Sequence, residues 1–74
     1  MRLSEFWRAV ADEFGEVYGR ALVRDLVLSA LGDVTAEHAI AAGVPVREVW
    51  LALCADMDVP VQRRYGVGQV RKGH

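Results

Sequence analysis

From Leu3 to Phe14 the apolar side chains Leu3, Phe6, Trp7, Val10 and Phe14 recur three and four positions apart, while Glu5, Arg8, Asp12 and Glu13 take the other side. That spacing predicts a helix with one face in a core and one in water. Ser4 stands where an N-cap belongs, and Gly15 closes the segment. The next apolar stretch is broader. From about Glu16 to Leu31, the residues Val17, Tyr18, Ala21, Leu22, Leu26, Val27, Leu28 and Leu31 cover most of a helical circumference, which predicts a central, deeply buried helix ending at Gly32. Gly19 inside it costs a helix about 1 kcal/mol relative to alanine, so either the helix starts later or a neighbouring segment comes close there.

Thr35 is placed to cap a short third helix, Ala36 to Ala42, with Ala39 and Ile40 turned inward and Gly43 ending it. Pro45 suits the first turn of a fourth helix. Along that helix Val46, Val49, Trp50, Leu53, Cys54 and Met57 form an apolar stripe, and Leu51, Ala52 and Ala55 extend it beyond one side. A helix apolar over this arc is either sandwiched between neighbours or leaves a patch exposed. Asp58, Val59 and Pro60 close it and lead into a single extra turn, Pro60 to Tyr65. Strict alternation and Asn-Gly or Asp-Gly turns are missing, so no hairpin is expected. The pattern predicts an all-α fold: a compact orthogonal bundle of four to five short helices in one domain, residues 1–65, followed by a flexible basic tail, residues 66–74.

The stretch from Ala39 to Trp50 carries the spacing of a helix-turn-helix, with Ala39, Gly43 and Val49 at the small, turn and branched positions. In a DNA-binding version Pro45, Val46, Arg47, Trp50, Leu51 and Cys54 would face the groove, and only Arg47 could make a charged or bidentate contact with a base edge. Val46, Trp50 and Cys54 also belong to the apolar stripe. Burying a large apolar side chain is worth roughly 1.5–3 kcal/mol, so the stretch reads better as a packing corner than as a DNA reader.

A length of 74 residues allows one domain. The single cysteine, Cys54, precludes an internal disulfide and is best read as a small buried hydrophobe in a reducing, cytosolic setting. No apolar run reaches the roughly 20 residues of a membrane span. The formal charge of −1 divides unevenly: through Pro60 ten acidic residues stand against five arginines, a balance of −5, while Arg63, Arg64, Arg71 and Lys72 follow with no acid. An acidic body is the reverse of what phosphate binding asks for. Metal binding has no footing either, since Cys54, His38 and His74 lack partners at zinc-site spacing. No phosphate loop, nucleophile elbow or zinc-protease motif occurs. Asp12, Glu13 and Glu16 cluster on a polar helix side where carboxylates simply solvate. No catalytic residue, metal or cofactor is therefore expected.

Three segments together, "MRLSEFWRAVADEFG" (1–15), "TAEHAIAAG" (35–43) and "VWLALCADMDVP" (49–60), resemble a family of very short actinobacterial proteins known as domain of unknown function 3046. The resemblance runs to about Tyr65 and implies a cytosolic bacterial protein with no established activity. It also implies a setting near DNA metabolism, because genes of this family often lie near that of a DNA recombinase. Two functions are carried forward. The first is a non-enzymatic protein-interaction module, binding another protein or itself, anchored by Phe6, Trp7, Trp50 and Leu51. The second is a degenerate helix-turn-helix using Arg47 with Arg63, Arg64, Arg71 and Lys72 on nucleic acid.

Overall fold

The computed structural model describes residues 1–60. Four helices are present: α1, Leu3–Phe14; α2, Glu16–Asp25; α3, Ala36–Ala41; and α4, Val46–Asp56. Between α2 and α3 the chain forms a small hairpin, β1 (Val27–Leu28) and β2 (Val34–Thr35), joined through a 3-10 turn at Ser29–Leu31. The strands are antiparallel, with Val27 opposite Thr35 and Leu28 opposite Val34. The fold is mainly helical, and the hairpin corrects the all-helical expectation.

The second helix stops six residues short of Leu31 because the chain turns extended at Leu26 (φ −79°, ψ 125°). From there Val27 points to solvent and Leu28 into the core, a period of two rather than 3.6. Gly32 and Asp33 both have positive φ, and the Asp33 N–H reaches back to the Leu28 carbonyl at 3.1 Å, which closes the loop. The early part of α2 also departs from expectation: Val17 and Tyr18 are exposed, and only Gly19, Leu22 and Val23 are buried. The central helix is instead α4, where Val49, Trp50, Ala52, Leu53 and Cys54 are all buried. It packs against α1, α3, β1 and the 3-10 turn, so its wide apolar arc is sandwiched.

The ends of the elements follow local chemistry. Helix α1 begins two residues earlier than Ser4 would set it, with Arg2 as its N-cap, because the Glu5 carboxylate accepts the Arg2 N–H at 2.7 Å. Thr35 caps α3 as its position requires, its Oγ1 accepting the His38 N–H at 3.1 Å. The core gathers Phe6 and Val10 from α1, Leu22 and Val23 from α2, Leu28, Ala36, Ala39, the α4 residues and Val59. Edge-to-face contacts tie Trp50 to Phe6 and to Phe14, with centroids 6.4 and 6.5 Å apart. The expected extra turn and tail beyond Pro60 lie outside the described residues.

Candidate functional site

Helices α1 and α2 are joined by one residue. Gly15 makes the corner with φ 90° and ψ 160°, a region essentially confined to glycine. Beyond it the two helices fold side by side, and they touch at Gly19. A Cβ on Gly19 would lie 2.5 Å from Val10 Cγ1 and 3.3 Å from the Val10 carbonyl oxygen. Of the two explanations the sequence leaves for this glycine, close approach is the one realised.

The close crossing leaves an open groove of about 620 Å³ on the outer side of the pair. Trp7 forms its wall, Val10 and Ala11 its floor; Arg8 and Asp12 stand on the α1 side, Glu16 and Arg20 on the α2 side. Trp7 is 39% exposed, and its ring edge rests on Phe6 at a centroid distance of 5.6 Å and an interplanar angle of 75°. One turn earlier Leu3 is 45% exposed, and Met1 lies beyond it, also exposed. Val17 on α2 follows the groove residue Glu16 and is 85% exposed. Of these exposed apolar side chains, Trp7 is the one that lines the concavity.

The four anchors proposed from sequence separate into two sets. Phe6 is fully buried and Trp50 is 2% exposed, so both belong to the core and neither can anchor a partner. The reason is their mutual packing across the α1–α4 contact, which consumes the faces they would need to offer. Trp7 stays half outside, and Leu51 is half-buried against the core. Sequence reasoning missed the groove itself. Arg8, Val10, Ala11 and Arg20 gave no sign of a concavity, because it arises from the Gly19 crossing rather than from the periodicity of either helix.

The nucleic-acid set fares differently. Arg47 is exposed at the start of α4, with Glu48 exposed next to it. Trp50 and Cys54, two of the six positions a groove-facing helix would present, are buried. Arg24 is already engaged: its Nε and Nη2 donate to the two Asp25 carboxylate oxygens at 3.2 and 3.1 Å. That hydrogen bonding, with the attraction between the charges, holds the Asp25 carboxyl below its ordinary range and raises the guanidinium. Both side chains are well exposed, so the pair is a solvated one. Arg63, Arg64, Arg71 and Lys72 lie outside the described residues.

Among the described residues no group of three His, Cys, Asp or Glu side chains could hold a metal ion, and no polar or charged side chain is buried. No helix among them is long and apolar enough to cross a membrane. A family described as Protein of unknown function (DUF3046) matches residues 1–62. No curated protein and no solved structure matches the chain.

Proposed function

The chain belongs to that family, whose description assigns no activity, and we propose that it acts as a non-enzymatic protein-interaction module working through the outer face of the α1–α2 pair. One observation carries this reading: Trp7, a large aromatic side chain, stands partly in water at the wall of a groove with Leu3 exposed a turn away. Aromatic residues are enriched among the side chains that dominate interface energies, and an exposed one beside a concavity offers both area and shape. The rim charges exclude water around such an anchor while adding little energy themselves.

The reading as a degenerate DNA-binding helix-turn-helix is weaker. It leaves Arg47 as the single groove cation on α4, and the described body carries the −5 balance that repels phosphate. Affinity capture from native cells with the full chain tests the choice. A protein recovered by the wild type, lost with Trp7→Ala and kept with Arg47→Ala supports the interaction module, provided circular dichroism shows both variants folded. Equal recovery with Trp7→Ala removes this surface. Binding of a labelled duplex with steep salt dependence, weakened by Arg47→Ala, would favour DNA instead.

A further inference from the structure

The groove is electrically polarised. Both helices leave the corner at Gly15, so the charged lining residues nearest to it are Asp12 and Glu16, and the charged ones furthest from it are Arg8 and Arg20. One end is therefore negative and the other positive. On each helix the acid and the base are four residues apart, which is about 6 Å of helix axis. Among the described residues none of the four closes an ion pair, although the i, i+4 spacing would permit it.

A surface with opposite charges at its two ends and equal spacing on both sides is complementary to itself. We propose that the occupant of this groove is a second copy of the chain, docked face to face about a two-fold axis that crosses the groove at right angles. That operation runs α1 antiparallel to α1 of the second copy and α2 antiparallel to its α2. Arg8 then faces Asp12 of the second copy and Arg20 faces its Glu16, and symmetry repeats both pairs. The midpoints of the two pairs lie five residues from Gly15 on α1 and three on α2, an offset of about 3 Å along the groove that the long arginine side chains span, so one registration serves all four. Trp7, on the wall, supplies the apolar contact, while the charges set register and orientation more than affinity. The two helices are only about 18 and 15 Å long, so the dimer is small and concentration-dependent, at the low end of specific interfaces.

This inference rests on the reading of the α1–α2 face as an interaction surface, and its test separates the two. Sedimentation of the full chain over a wide concentration range is compared with two charge-reversed variants, Arg8→Glu with Arg20→Glu, and Asp12→Arg with Glu16→Arg. The wild type should dimerise more weakly as salt rises. Each variant alone should lose about tenfold or more in self-affinity, since like charges now face each other at both ends. An equimolar mixture should recover association as a heterodimer, because every facing pair is again opposite in sign. Should one variant fail to fold by circular dichroism, the salt dependence of the wild type and the response of the other variant still decide the matter. A wild type that stays monomeric throughout, or a dimer indifferent to both reversals, overturns the second copy as occupant. Capture that depends on Trp7 would then still stand as evidence for a different protein partner on the same face.

Discussion

The chain turns a helix into a helix twice across a glycine of positive φ, at Gly15 and at Gly43, and the two corners end in opposite ways. After Gly43, α4 enters the core and buries five of its side chains. After Gly15, α2 buries three residues and leaves Val17 and Tyr18 in water. One corner is a single-residue link and the other spans residues 42–45, yet each only redirects the chain and neither sets what the next helix meets. What differs is the supply of neighbours: α4 is packed by α1, α3, β1 and the 3-10 turn, whereas α2 is packed by α1, α3 and β2 with Val17 and Tyr18 left exposed. A helix-glycine-helix pattern thus specifies a corner and says little about which face will be hidden. Burial decides that, and here it turns the corner with helix-turn-helix spacing inward and leaves the outer face of the other in water.

The largest test of this contrast compares the two tryptophans. Trp50 is packed on all sides, so Trp50→Ala should cost about 3–5 kcal/mol, a large share of the about 4–11 kcal/mol expected for a domain of this size. Trp7→Ala should cost about 1 kcal/mol, because much of its ring is already wet and its main contact is one edge-to-face pair with Phe6. Urea unfolding followed by far-ultraviolet circular dichroism measures both. Equal losses would mean that Trp7 is a core residue and would erase the difference between the corners.

A second test acts on the crossing that shapes the groove. Gly19→Ala gains about 1 kcal/mol of helix propensity yet drives a methyl onto Val10, and overpacking of this kind costs about 1–3 kcal/mol. The carbonyl of Val10 is part of the clash, so the net change should be destabilising. Val10→Ala removes the nearest atom and opens a void of its own. The double variant should therefore be more stable than the two single losses predict, with a coupling of about 0.5–3 kcal/mol in the unfolding cycle. Additivity within error would show that α1 and α2 do not meet there.

The sequence was most informative where a residue type has few uses. Thr35 and Gly43 stand where a cap and a helix stop belong, and Gly19 signals either a later helix start or a close approach, of which the structure supplies the second. The pattern misled over Leu26 to Leu31, since Leu26, Val27, Leu28 and Leu31 fit a helix as well as a short hairpin. Gly32 was the available hint, since two short apolar runs joined by a few residues that include a glycine also suit a hairpin. Phe6 and Trp50 show a different limit. Aromatic content marks residues worth burying, and only the tertiary neighbours determine whether the burial happens within the chain or against a partner.

The smallest expected effect sharpens the comparison at the level of single bonds. Helix α3 ends with the Gly43 N–H on the Ile40 carbonyl at 3.1 Å and the Val44 N–H on the Ala39 carbonyl at 3.0 Å. Helix α4 ends with the same pair of bonds: the Asp58 N–H meets the Ala55 carbonyl at 3.3 Å and the Val59 N–H the Cys54 carbonyl at 2.9 Å. Both are Schellman endings, with Val59 buried as the apolar residue that accompanies the motif. One uses glycine at the left-handed position and the other an aspartate at φ 59°. An L side chain in that conformation is strained, and aspartate is among the types that tolerate it best, so Asp58→Gly should stabilise by only about 0.5 kcal/mol after the added freedom of the unfolded chain is subtracted. Gly43→Asp should destabilise by a similar amount, because no atom crowds the added Cβ and only the backbone resists. Paired shifts of opposite sign in the unfolding midpoint would show that the two stops are equivalent locally. A loss on Asp58→Gly would instead assign the aspartate side chain a contact of its own at the end of α4.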